Sequence, residues 1–118
     1  AHAQYLLGEL YAHGRGVRLD YGAAIDLFRK ASMRGHAGAQ SFMGSFYENG
    51  FGIDKDPIEA FVWYSLAGEH AAAAASYRTN IDPSAALEKV KAGLTRLQLR
   101  EAERRLAETR RKIAPSAG

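Results

Sequence analysis

The sequence lacks cysteine altogether, and it also lacks any long apolar run. The first absence excludes disulfides, thiolate nucleophiles and cysteine-ligated metal sites. The second excludes a membrane-spanning helix in this stretch, because such a helix needs roughly 18 to 20 apolar residues in succession. Neither an initiator methionine nor a signal peptide is visible, and the chain opens inside a repeating phrase. We therefore expect it to be a piece of a longer protein.

The composition is that of one small soluble domain whose charge is unevenly distributed. Apolar residues make up 47% of the 118 residues and charged residues 25%, which is enough to build one core and a solvated surface. The net charge is +3, but residues 1–70 carry six Lys and Arg against eight Asp and Glu, whereas residues 71–118 carry ten against five. The basic excess belongs to the C-terminal part.

Nearly the same phrase occurs twice in the chain. Residues 3–20 read AQYLLGELYAHGRGVRLD and residues 39–56 read AQSFMGSFYENGFGIDKD, at an offset of 36 residues. A fixed period of this length is typical of solenoids, in which each unit buries its apolar face against a neighbour. The pairs at this offset include Ala3 with Ala39, Gln4 with Gln40, Leu7 with Met43, Gly8 with Gly44, Leu10 with Phe46, Tyr11 with Tyr47, Ala24 with Ala60, Phe28 with Tyr64 and Ala31 with Ala67.

Each copy predicts a helix, a glycine loop and a second helix. The first helices are expected near 3–13 and 39–49 and the second near 20–34 and 56–69, because apolar residues recur there at spacings of three and four. On the first helix we expect the core face to comprise Ala3, Leu7, Leu10 and Tyr11.

Turn and capping residues occupy equivalent places in the two copies. Glycine closes the first helix in a left-handed conformation and recurs two residues later, at Gly14, Gly16, Gly50 and Gly52. Aspartate then caps the second helix at Asp20 and Asp56, and Glu59 is expected to complete a capping box in the second copy.

Gly8 and Gly44 lie inside the predicted first helices. A glycine there costs about 1 kcal/mol relative to alanine, so its lack of a side chain must bring a benefit. We expect close approach of the paired helix, which carries small residues at Ala24, Ala31, Ala60 and Ala67.

These residues resemble the Sel-one-like repeat (SLR), a relative of the tetratricopeptide repeat. The resemblance rests on the pattern A-x-x-x-L-G-x-x-Y-x-x-G-x-G-V, a following Asp and an alanine-rich second helix, and it covers residues 3 to about 70. It implies an all-α fold, a right-handed α-solenoid of antiparallel helix pairs, in a bacterial protein. It also implies a non-catalytic scaffold or adaptor that binds a protein or peptide in signalling or envelope-associated complexes.

The repeat fails after residue 70. At the same offset Gly44 meets Asn80 and Tyr47 meets Pro83, so a full third copy is excluded. Residues 71–79 are expected to begin a third first helix, and Asp82 with Pro83 starts another helix that Gly93 ends. The predicted organisation is repeat 1 at 1–36, repeat 2 at 37–70, a partial third repeat at 71–93, a capping helix at 94–114 and a frayed tail at 115–118.

The capping helix shows both a start signal and an apolar stripe. Thr95 and Gln98 form a capping box at its start. Spacings of three and four relate Leu99, Ala102, Leu106, Thr109 and Ile113 along one face, and Glu and Arg residues at i, i+4 lie on the other. This pattern predicts a helix that covers the apolar end of the solenoid.

Nothing in the sequence forms a catalytic or metal-binding pattern. The four histidines are scattered at 2, 13, 36 and 70, without the i, i+4 spacing of a helical zinc site. The glycine pairs join two helices, whereas a phosphate loop runs from a strand into a helix and supplies a lysine. We therefore predict neither enzymatic activity nor a cofactor nor a metal.

The basic C-terminal part leaves a second interpretation open. Its cations could face nucleic acid or an anionic surface, but glutamates are interleaved and no aromatic residue follows Tyr77. A solvated helix face is the favoured interpretation, and nucleic acid is the less favoured alternative, ahead of a hydrolase activity as claimed for cysteine-rich relatives.

The favoured partner is a protein or peptide held on the solenoid surface. If the first helices line the concave side, as in related solenoids, the contact residues are those off the predicted core face, with Tyr5 as the preferred anchor. They are Gln4, Tyr5, Glu9, Gln40, Ser41, Ser45 and Glu48. Since solenoids usually need about three units, we further expect the N-terminal face either to continue into further repeats or to self-associate.

Overall fold

The computed structural model describes residues 2–14, 19–71 and 82–113, and these residues form six α-helices. Their bounds are α1 His2–His13, α2 Tyr21–Ser32, α3 Ala37–Asn49, α4 Pro57–Ala71, α5 Pro83–Ala92 and α6 Arg96–Lys112. The first four helices pack in chain order, and α4 also contacts both α5 and α6. Within the described ranges, no helix is both long enough and apolar enough to cross a membrane.

Side-chain caps begin the helices where the sequence predicts them. The Oδ1 atom of Asp20 accepts a hydrogen bond from the α2 backbone at 3.0 Å, and Asp56 accepts two from α4 at 3.1 and 3.2 Å. Thr95 and Gln98 form the complete capping box of α6. These bonds satisfy backbone N–H groups that have no partner within the helix.

The predicted capping-box role of Glu59 is wrong. The backbone N–H of Asp56, which Glu59 would have accepted from, instead donates to the carbonyl of Tyr47 at 2.9 Å. Glu59 is thereby available to accept from the Arg105 guanidinium on α6 at 3.2 Å. Glu59 therefore bonds to a side chain of α6 and not to the backbone at the start of its own helix.

Three of the loop glycines have left-handed backbone, with φ of 65° at Gly14, 75° at Gly50 and 70° at Gly52. Gly50 ends α3, and its N–H donates to the Phe46 carbonyl at 2.8 Å. A Cβ on Gly52 would lie 2.7 Å from the Cβ of Tyr21, so this loop packs directly on the start of α2. The prediction for Gly16 falls outside the described residues.

The main core joins the two repeats. Tyr5, Phe28, Met43 and Leu66, one from each of the first four helices, are buried in one cluster. The ring of Phe28 stacks on Phe42 of the second repeat, with centroids 4.7 Å apart and planes within 2°. The centroid of the Tyr5 ring lies 5.9 Å from that of the Phe42 ring. Aromatic side chains of the first repeat therefore cover α3.

Close packing of an aromatic ring leaves no room for a side chain at the glycine inside each first helix. A Cβ on Gly8 would lie 2.9 Å from Phe28, and one on Gly44 would lie 2.6 Å from Tyr64. Phe28 and Tyr64 occupy equivalent positions in the second helices of the two repeats. The paired helix does approach closely, as predicted, but its nearest atoms belong to these rings rather than to alanines.

The buried face of α1 differs from the predicted one. Tyr5 and Gly8 are the buried residues of this helix, whereas Leu7 and Leu10 are 41% and 39% exposed. In the second repeat, the positions equivalent to these leucines are covered by the first repeat. No helix among the described residues precedes α1 to cover the leucines in the same way.

Helix α6 covers the other end of the stack. Ala102 is fully buried, and Leu99 and Leu106 pack around it against a cluster that includes Phe61 of α4 and Val90 of α5. The predicted apolar stripe of α6 thus faces α4. The predictions for a helix at 71–79 and for a frayed tail at 115–118 lie outside the described residues, apart from residue 71, which ends α4.

Candidate protein-binding surface

Three of the seven predicted contact residues are buried. Tyr5 is 3% exposed, Gln40 is 0% exposed and Ser41 is 3% exposed. The prediction of Tyr5 as an exposed anchor is wrong, because its ring lies between α1 and α3 and stacks on His36 at 4.4 Å. Burial, and after it a contact with Glu9, raises the pKa of the Tyr5 phenol. These three side chains stabilise the stack and are not available to a partner.

Gln40 joins two second helices through its side-chain amide. Its Nε2 donates to the Ser32 carbonyl at the end of α2, at 3.0 Å. Its Oε1 lies 2.9 Å from Nδ1 of His70 on α4. A fully buried amide with both ends bonded costs little to bury, and it fixes the register between the repeats.

The other four predicted contact residues are partly exposed, and two of them are already engaged. Ser45 accepts from the Asn49 amide at 2.9 Å through its carbonyl. Glu48 accepts from the Tyr64 hydroxyl at 2.8 Å. Gln4 and Glu9 instead line two cavities along α1.

An exposed aromatic pair lies where the second glycine loop meets the start of α2, and it is not among the contact residues predicted from the sequence. Phe51 is 49% exposed and Tyr21 is 37% exposed. Their rings stack at 6.0 Å with 19° between the planes. Leu19, which is 53% exposed, precedes Tyr21 by two residues. We call these three residues the loop patch.

Contacts with residues beneath the surface fix the position of the aromatic pair in the loop patch. Tyr21 packs edge-on against buried Phe46 at 6.1 Å. The left-handed Gly50 and Gly52 flank Phe51 and set the path of its loop, and the close packing of Gly52 on Tyr21 ties the two repeats together. A rigid exposed aromatic pair loses little conformational entropy when it binds. The signal in the sequence was an aromatic residue between the two loop glycines.

His36 has a structural role at the start of α3. Its Nδ1 accepts from the Ala39 N–H at 3.1 Å and so caps α3, while its Nε2 lies 3.1 Å from Nδ1 of His2. Burial, and after it the neighbouring His2, lowers the pKa of His36 to about 4. The imidazole therefore stays neutral near pH 7, as the cap requires, because a protonated Nδ1 could not accept a hydrogen bond.

The arginines of α6 contact carboxylates on their own helix and on α4. Arg105 lies 3.0 Å from Glu101 and 3.2 Å from Glu59, and Arg110 reaches Glu69 at 2.5 Å. Hydrogen bonds from Arg104 and Arg105 lower the pKa of the partly exposed Glu101 to about 2. The guanidinium groups with these contacts are partly neutralised, which weakens the case for a phosphate-binding face.

No group of three or more His, Asp or Glu side chains could hold a metal ion within residues 2–14, 19–71 and 82–113. What the described surface offers is apolar area on a rigid helical frame, which is suited to protein contacts.

Stacked helix pairs with a 36-residue period and glycine loops define an α-helical repeat protein. The model of the Sel1 repeat matches residues 1–36 and 37–71, so the chain belongs to the Sel1 repeat family. Proteins with this fold generally mediate protein–protein interaction and are typically non-catalytic scaffolds.

A solved structure supports the same assignment. The chain is similar to a protective antigen present in uropathogenic Escherichia coli strains that displays an SLR fold, with a TM-score of 0.81 and 30% identity. The match covers 98% of this chain and 23% of that one. Among curated proteins, no sequence matches the chain.

Proposed function

We propose that the chain is a non-catalytic module that binds a protein or peptide through the loop patch. The observation that carries the proposal is the stacked, half-exposed pair Tyr21 and Phe51. Aromatic side chains are enriched among the residues that dominate binding energy at protein interfaces. The pair spans the two repeats, so the binding surface exists only when the repeats are stacked.

The expected partner presents an apolar side chain to this patch and polar groups around it. Asp54 and Lys55 are exposed beside the loop and offer one charge of each sign, as the rim of an interface commonly does. Of the contact residues expected from the sequence, Gln4, Glu9, Ser45 and Glu48 keep some exposed area. We include them as secondary contacts.

Substitution of Phe51 tests this proposal. The immobilised chain, its Phe51→Ala variant and a Leu97→Ala control are incubated with extract of the source organism, and bound proteins are quantified by mass spectrometry. Leu97 is 77% exposed on α6 and lies outside the loop patch. We expect Phe51→Ala to reduce recovery of the bound partner by at least about tenfold, the effect of losing roughly 1.4 kcal/mol. Leu97→Ala should recover as much as the wild type.

Phe51 is a loop residue exposed to solvent, so the variant is expected to keep its helical circular dichroism. Equal recovery of the same proteins by all three chains would contradict the role of the loop patch.

A further inference from the structure

A polar cavity of about 460 Å³ lies where α1 meets the C-terminal half of α2. Its volume is within the range of pockets that hold ligands, roughly 300 to 1,000 Å³. Its lining contains three cations but only one carboxylate, and it consists of Gln4, Asp26, Arg29, Lys30, Met33 and Arg34. We call it the basic cavity.

The cations of the basic cavity are not neutralised by the rest of the described chain. Arg105 of α6 pairs with carboxylates on α4 and on its own helix. By contrast, no described carboxylate forms an ion pair with Arg29, Lys30 or Arg34. Arg29 only approaches the Tyr47 hydroxyl, at 3.5 Å. Positive charge that is concentrated in a concave site attracts anionic ligands.

Gln4 adds a hydrogen-bond donor to this lining. In the second repeat, the equivalent Gln40 uses its Nε2 to donate to the Ser32 carbonyl at 3.0 Å. Gln4 is partly exposed, and its Nε2 donates to no described residue, whereas its Oε1 is buried. The cavity therefore offers a neutral donor beside its cations, and a carboxylate can accept from both kinds of group.

The charged residues of the basic cavity depart from the repeat pattern. The residues 36 positions after Asp26 and Lys30 are both aliphatic, and both are 0% exposed in the main core. They are Val62 and Leu66, and Leu106 of α6 packs against the same core. Because unpaired charges are costly to bury under another helix, the charged side chains of the first repeat suit a polar ligand.

We propose that the basic cavity binds an acidic peptide segment. Carboxylates of the segment accept hydrogen bonds from Lys30, Arg34 and Gln4, and a backbone N–H of the segment donates to Asp26. A peptide supplies both anions and donors, whereas the phosphodiester groups of DNA supply acceptors alone and would be repelled by Asp26. The cavity lies at the opposite end of α2 from the loop patch, so this proposal is independent of the proposed function.

Selection from a peptide library tests the proposal. Random seven-residue peptides displayed on phage are selected on the immobilised chain, on a Lys30→Gln, Arg34→Gln variant and on an Arg100→Gln, Arg111→Gln control. All four side chains are exposed, and both variants lose the same charge. We expect the wild type and the control to recover peptides with two or more acidic residues at least about tenfold more often than the cavity variant does.

Titration of one selected acidic peptide separates the donor from the charge. Gln4→Met removes the amide without changing the net charge, and it should raise Kd by at least about threefold while the circular dichroism stays that of the wild type. A counterpart peptide in which Asn and Gln replace Asp and Glu should bind at least about tenfold more weakly. Phe51→Ala should leave Kd unchanged, so failure of the loop patch and failure of this site are distinguishable.

Three results would overturn the proposal. The first is a selection on the wild type that does not enrich acidic peptides over the unselected library. The second is an equal loss of these peptides on the α6 control, which would indicate attraction to net charge alone. The third is displacement of the acidic peptide by a single-stranded oligonucleotide that binds the cavity more tightly, which would make nucleic acid the occupant.

Discussion

Gly44→Ala is expected to lower the free energy of unfolding by about 1 to 3 kcal/mol, although alanine is the better helix former. The new Cβ would lie 2.6 Å from the Tyr64 ring. That ring is 1% exposed, and its hydroxyl donates to Glu48 at 2.8 Å, so it has little freedom to move aside. Urea unfolding followed by circular dichroism measures the change.

Gly68→Ala is the matched control for this effect. Gly68 lies in α4, is exposed, and has no atom within 4 Å of the position a Cβ would take. The same substitution should therefore raise the free energy of unfolding by about 0.5 to 1 kcal/mol. If Gly44→Ala were as stable as the wild type, close ring packing would not explain the glycine.

Met43→Ala is expected to cost about 2 to 5 kcal/mol, which is the usual range for truncating a fully buried aliphatic side chain to alanine. Met43 is 0% exposed and belongs to the core that joins the repeats. Its removal leaves a cavity there, and the aromatic rings around it are held by other contacts and cannot collapse freely.

Leu7→Ala tests whether this cost comes from the junction between the repeats. Leu7 occupies the equivalent position in the first repeat but is 41% exposed, so its truncation should cost less than about 1 kcal/mol. Equal losses at the two positions would show that α1 is covered in solution.

The sequence was sufficient for features that depend on local chemistry and on the period. The helix bounds, the aspartate caps and the close approach at Gly8 and Gly44 follow from residues whose neighbours lie within one repeat or recur in the next. The exact contact at each glycine did not follow, since periodicity places an aromatic ring on a helix but does not give its rotamer.

The burial of side chains near the ends of the stack, and the contacts between distant helices, could not be predicted from the repeat pattern. Leu7 and Met43 occupy equivalent positions in the sequence, yet among the described residues only Met43 has a helix pair packed against its outer side. The burial of Tyr5 and Gln40 likewise follows from how the two repeats pack on each other. The i, i+4 spacing along α6 predicts pairs such as Glu101 with Arg105, which the structure shows at 3.0 Å, but the contact of Arg105 with Glu59 depends on where α6 crosses α4.

Amide hydrogen exchange of α1 and α3 in the unmodified chain measures the difference between the two repeats directly. The first repeat and α4 cover α3, whereas α1 packs on α2 and reaches α3 through Tyr5, and leaves Leu6, Leu7 and Leu10 exposed. We predict that the amides of α3 exchange at least about tenfold more slowly than those of α1. Equal protection of the two helices, or stronger protection of α1, would contradict a stack of two repeats that ends in an uncovered first helix.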